Sequence, residues 1–142
     1  MDGRLTLIDS DVLVGILRKE EYPTENAKSY LSLHEKLHIS CLTWYECYRG
    51  YKVLGATKRL KAFQTLMNLA QIHYLNEPLL AQTAEVYADL YRQGKLTGEF
   101  DLIIGLTALQ NGWKLATNNI RHYQVLMDGY GLEVENWTTR LF

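Results

Sequence analysis

Short apolar runs alternating with amphipathic stretches limit most strongly what this chain can become. Strands are expected from Thr6 to Ile8, His38 to Leu42, Ile72 to Leu75, Trp113 to Ala116 and Leu132 to Val134. Helical patterns lie between them: Val12 to Lys19, Pro23-Thr24 to about Lys36 with Thr24 as cap, and Thr43 to Gly55. Three more follow: one from Thr57 with Leu60, Phe63, Met67 and Ala70 on one face, one from Glu77-Pro78 to Gly94, and one from Asp101 to Asn111-Gly112. Caps and stops have the usual chemistry, with Thr or Pro at the start and Gly at the end. Short strands alternating with helices argue for a parallel sheet covered on both faces. The expected fold is a three-layer α/β/α domain with a central, mostly parallel sheet of four or five strands. With no repeat, low-complexity run or linker, residues 1–142 read as a single domain.

Three acids stand where a strand or loop hands over to a helix, in LTLIDSDVLV, HISCLTWYECYRG and GEFDLIIGLTAL. In a parallel sheet those handovers share one edge, where open α/β sheets place their ligands. Asp9, Glu46 and Asp101 can therefore converge, and clustered carboxylates commonly bind a divalent metal. Each also has a local reading. Asp9 could cap the next helix, although Asp11 immediately precedes the apolar run and suits that task better. Thr43-Trp44-Tyr45-Glu46 is a capping box, in which Glu46 reaches back to the cap N–H. Asp101 faces the positive end of a helix dipole, worth about 0.3–1 kcal/mol. In LATNNIRHY the strand ends near Thr117, which brings Asn118 and Asn119 to the same edge as hard neutral ligands or as turn formers. Arg121, one turn further on, is the basic residue best placed to steer phosphate.

Composition excludes several classes. The formal net charge of −1 gives no global attraction to nucleic acid, so an anionic partner needs a local patch or a bound cation. No apolar run reaches the roughly 20 residues of a membrane span, and Asp9 and Asp11 break the N-terminal stretch as a signal peptide. Cys41 and Cys47 form no CxxC pair, which fits a reduced, cytoplasmic setting. His34-Glu35-Lys36-Leu37-His38 matches the HExxH zinc pattern, but its helix is expected to end near Lys36, leaving His38 in a strand. Tyr45, Tyr48 and Tyr51 form a helical stripe expected to be core or partner surface.

Taken together, IDSDVLV, ISCLTWYECYRG, FDLIIGLTALQNGWKLATNNIRHY and the closing LEVENW resemble the PIN-domain family, in particular its VapC-type toxins. The four pieces occur in the family's order and span essentially the whole chain. The resemblance implies that Asp9, Glu46 and Asp101 are the metal-binding acids and that Asn119 takes a fourth position, where members carry Asp or Asn. Ser10 matches the small hydroxyl residue that commonly follows the first acid. Two departures are Asp11, where Asn is usual, and His122, where an acid often precedes the aromatic residue. The implied activity is a phosphodiesterase that cuts single-stranded or looped RNA using Mg²⁺ or Mn²⁺. The implied partners are the RNA, a cognate antitoxin and a second copy of the chain.

Two rivals compete. LTLIDSD also resembles the DxD opening of haloacid-dehalogenase-type phosphatases, with Asp9 as nucleophile. Alternatively, the chain is a PIN-like binding module that cleaves nothing and acts through a partner protein.

Overall fold

Leu7 and Ile8 turn to opposite faces of β1 (Thr6–Ile8), and that alternation organises the molecule. The computed structural model describes residues 3–141. Strands β2 (Leu37–Ser40), β3 (Ala70–His73), β4 (Lys114–Ala116) and β5 (Val134–Glu135) join β1 in a five-stranded sheet of order β3-β2-β1-β4-β5. Every adjacent pair is parallel. The chain steps from β1 to β2 and β3 on one side, then returns to place β4 on the other. The order therefore reverses between β1 and β4, the kind of crevice where such sheets bind ligands.

Helices α1 (Ser10–Leu17), α2 (Glu21–Leu33), α3 (Cys41–Leu54) and α4 (Thr57–Leu66) cover one face, packing Val12, Tyr30, Cys47 and Phe63 on Ile8 and Ile39. Helices α5 (Glu77–Arg92), α6 (Glu99–Asn111) and α7 (Ile120–Tyr130) cover the other, packing Leu90, Leu102 and Leu126 on Leu7 and Leu115. Helix α6 is buried on most of its circumference, as its apolar sequence predicts. It stops at Gly112, whose φ of 70° only Gly adopts readily. Gly105 lets α7 close on α6, since a Cβ there would lie 2.4 Å from Leu126 Cδ1.

Several boundaries differ from the sequence expectation. Helix α2 begins at Glu21, so Thr24 does not cap it; Pro23 sits in the first turn, where its missing N–H is no loss, and the buried Thr24 hydroxyl has no partner among the described residues. Helix α3 begins at Cys41 and is capped by Ser40, whose hydroxyl accepts from the Leu42 N–H at 3.1 Å. The Thr43–Glu46 capping box therefore does not form. The sequence marks helix α7 only as a helix start after the Asn pair, with no extent assigned to it. The HExxH stretch is split: α2 ends at Leu33, His34 stacks on Tyr30, and His38 lies in β2.

His38 instead meets His73 on the neighbouring strand, Nδ1 to Nε2 at 2.8 Å, with the Trp113 ring edge-on to His73. Burial, then the neighbouring His73 and His34, lower the His38 pKa to about 4. The unfolded chain thus binds more protons than the folded one between about pH 6.5 and 4. The neutral pair stabilises fully above that window, and its contribution is lost as pH falls through it. Urea midpoints measured from pH 7.5 to 4.5 should fall, and His38→Asn should flatten that slope.

Candidate active site

Asp9 leaves β1 with its backbone still in the sheet, its N–H donating to the Ala116 carbonyl at 3.0 Å. It occupies the N-cap of α1, the role expected of Asp11. Its side chain is almost fully buried and takes three hydrogen bonds. Oδ1 accepts from the Ser10 N–H at 2.9 Å, while Oδ2 accepts from the Thr117 and Tyr123 hydroxyls, each at 3.0 Å. Thr117 follows β4, so this contact bridges the strand-order reversal. Burial raises the carboxyl pKa; the Ser10 N–H opposes this and the Asp11 charge adds to it.

Asp101 arrives from the first turn of α6. Its Oδ1 lies 3.3 Å from the same Tyr123 hydroxyl, and its Oδ2 lies 3.1 Å from Nδ1 of the exposed His122. Asp9 and Asp101, far apart in sequence, therefore meet at one shared phenol. Burial and both acid charges push the Tyr123 pKa well above the usual phenol range, so it stays protonated.

Glu46 projects from α3, half-buried. Its pKa is raised first by burial and then by the charges of Asp9 and Asp101, with Arg49 opposing. Among the described residues its carboxylate makes no hydrogen bond or ion pair. The adjacent Cys47 thiol is pushed up to about 12 by burial and by Glu46 and Asp9, so it offers no thiolate near neutral pH. Glu46, Asp11 and Ser10 form one end of a cleft of ≈740 Å³ between α1, α3 and α4, which Arg18, Arg49 and Arg59 also line. These arginines share the cleft with Glu46 and Asp11, and Arg121 is exposed on the first turn of α7.

The amides behave differently from one another. The Asn118 N–H donates to Asp11 Oδ2 at 2.7 Å, and its side-chain oxygen accepts from Asn136 and Thr138. Asn119 is exposed, with its N–H donating to the Thr117 hydroxyl at 3.0 Å; among the described residues its side chain forms no bond to an acid. Of the tyrosine stripe, Tyr45 is exposed and Tyr51 is buried in the core. Sequence reasoning missed Tyr123 altogether. Its one local signal was the helical spacing of Ile120, Tyr123, Met127 and Tyr130.

The donors suit a hard divalent cation, because carboxylate oxygens dominate the set. Among the described residues no basic side chain forms an ion pair with Asp9 or Glu46; the Arg49 charge partly offsets that of Glu46, while Asp9 has hydrogen bonds but no cation against it. Nor, among them, are three His, Cys, Asp or Glu side chains drawn together as a ready-made cage. Asp9 and Asp101 share a hydroxyl, while Glu46 has no hydrogen bond to either among the described residues but feels both charges.

A family model described as the PIN domain matches residues 6–126. The chain belongs to the PIN domain family. It has relatives at modest identity over most of their length. Ribonuclease VapC1 of Methanocaldococcus jannaschii is 25% identical over 128 residues, covering 90% of this chain and 85% of that one. The DNA-bound VapBC structure from Salmonella typhimurium contains a chain superposing with a TM-score of 0.81 at 22% identity, over 94% of this PIN chain and 98% of that one. A toxin–antitoxin complex from Klebsiella pneumoniae gives 0.71 at 17% identity, over 93% and 97%. PIN membership displaces the haloacid-dehalogenase reading. Asp11, the second acid of that scheme, is turned instead onto the Asn118 and Val12 N–H groups.

Proposed function

We propose that residues 1–142 act as a single PIN domain, a metal-dependent endoribonuclease and the toxin of a type II toxin–antitoxin pair. The observation that carries this reading is the buried, uncompensated Asp9 carboxylate joined to Asp101 through Tyr123, with Glu46 facing both. The names of the VapC ribonucleases and of the Klebsiella complex support RNA as substrate and an antitoxin as partner.

Asp9, Glu46 and Asp101 would hold Mg²⁺ or Mn²⁺, with Asn119 completing the set directly or through a water. When bound, the cation supplies an acidified water and positive charge against the phosphate. The chain's own residues do the rest. The Ser10 N–H and the Thr117 hydroxyl orient Asp9, and burial keeps bulk water from screening the acids. Arg18, Arg49 and Arg59 line the path from Glu46 and offer the phosphodiester backbone a counter-charge that the net charge of −1 cannot. The same reading places the protein in the cytoplasm as a homodimer.

Purified chain incubated with single-stranded RNA and Mg²⁺ or Mn²⁺ should release discrete fragments. A chelator or Asp101→Asn should abolish them. RNA left intact with both ions would overturn the nuclease reading and favour the binding module.

A further inference from the structure

We infer that the Tyr123 hydroxyl is a positioning group for the metal-binding carboxylates, fixing Asp9 and Asp101 on one shared atom so that each presents its remaining lone pairs to the cation. The inference rests on the metal-dependent reading above. Tyr123 sits on α7 with its ring wholly buried between α6 and the sheet, 3.4 Å from where a Cβ on Gly105 would lie. Phe would fill that space equally well. What the hydroxyl adds is its reach, to Asp9 Oδ2 at 3.0 Å and Asp101 Oδ1 at 3.3 Å.

Counting acceptor capacity shows the consequence. A carboxylate has about four lone-pair sites. On Asp9, Oδ2 spends its two on Thr117 and Tyr123, and Oδ1 spends one on the Ser10 N–H. One site on Oδ1 remains, so Asp9 is set up as a single-oxygen ligand. Asp101 is anchored on both oxygens, by Tyr123 and His122. Glu46 has no such anchor. The single phenol proton is shared between two carboxylates, closer to Asp9 Oδ2 at 3.0 Å than to Asp101 Oδ1 at 3.3 Å, and the third carboxylate, Glu46, is free to close on the ion. Donors that orient metal ligands commonly change affinity about 10–100-fold when removed.

The test compares Tyr123→Phe with Thr117→Val, which removes a donor from Asp9 alone. Mn²⁺ binding is titrated by electron paramagnetic resonance, which reads free ion, and steady-state cleavage is measured on RNA. Tyr123→Phe should raise the Mn²⁺ Kd by about 10-fold or more and lower kcat with KM for RNA unchanged, while the chelated protein melts as wild type does. Thr117→Val should weaken Mn²⁺ binding less. Wild-type Mn²⁺ affinity in Tyr123→Phe would overturn the inference, as would an equal loss in both variants, which would assign the effect to Asp9 alone. A wild-type chain that binds no Mn²⁺ would instead bring down the metal reading itself, and this inference with it.

Discussion

Asp9→Asn lowers RNA cleavage by about 10²–10³-fold or more while leaving the metal-free protein at least as stable as wild type. Geometry explains why the fold survives. The Asn oxygen keeps the Ser10 N–H bond, and the new amide donates to the Thr117 and Tyr123 hydroxyls, which rotate to accept. Charge explains why stability holds or rises. Two carboxylates about 5 Å apart at an effective dielectric near 20 repel by roughly 3 kcal/mol, and Asn removes one of them. Glu46→Gln is the companion variant. Because Ser40 caps α3, Glu46 has no structural hydrogen bond to lose, and the same separation of activity from stability is expected. Urea denaturation in chelator, beside cleavage rates in Mn²⁺, measures both. An Asp9→Asn chain that unfolds would make Asp9 a structural residue.

Millimolar Mg²⁺ or Mn²⁺ raises the melting temperature by about 5–10 °C once the ion reaches about 100 times its Kd. An ion that binds only the native state at that level contributes roughly 2.7 kcal/mol, and a domain of this size shifts about 2–4 °C per kcal/mol. The sign follows from the site. Burial disfavours Asp9 and Glu46 as anions, the Asp11 charge adds to this at Asp9 and the Asp9 and Asp101 charges add to it at Glu46, and a cation reverses these effects. Differential scanning fluorimetry with and without ion reads the shift, and Asp9→Asn should abolish most of it. An unchanged melting temperature in both ions would remove the case for an intact site.

The sheet and the two anchored acids were legible because their signals are local. Apolar runs mark the strands, and Asp9 and Asp101 stand beside helix starts. Glu46 was legible only as one of a set, since its own neighbourhood argued for a cap. That local argument failed because Ser40 and Thr43 are both plausible caps, and Ser40 prevails by ending a buried strand with its hydroxyl free to turn back. Helix α7 was legible only as a start after the Asn pair, because the Asp128-Gly129 pair reads as a turn and its buried stripe of Tyr123 and Leu126 is thin. The link from Tyr123 to Asp9 spans 114 positions, so no spacing rule reveals it. Asn119 is the mirror case. Its position was legible, while its side chain is exposed and, among the described residues, makes no hydrogen bond to an acid.

Asp9, Glu46 and Asp101 are expected to hold one divalent cation between them. A crystal grown with Mn²⁺, with diffraction collected at the manganese absorption edge, tests it most directly. The expected anomalous peak lies beside Asp9 Oδ1, with Asp101 and Glu46 oxygens at about 2.0–2.3 Å and the Tyr123 bridge intact. A peak elsewhere, or none at saturating Mn²⁺, would contradict the account.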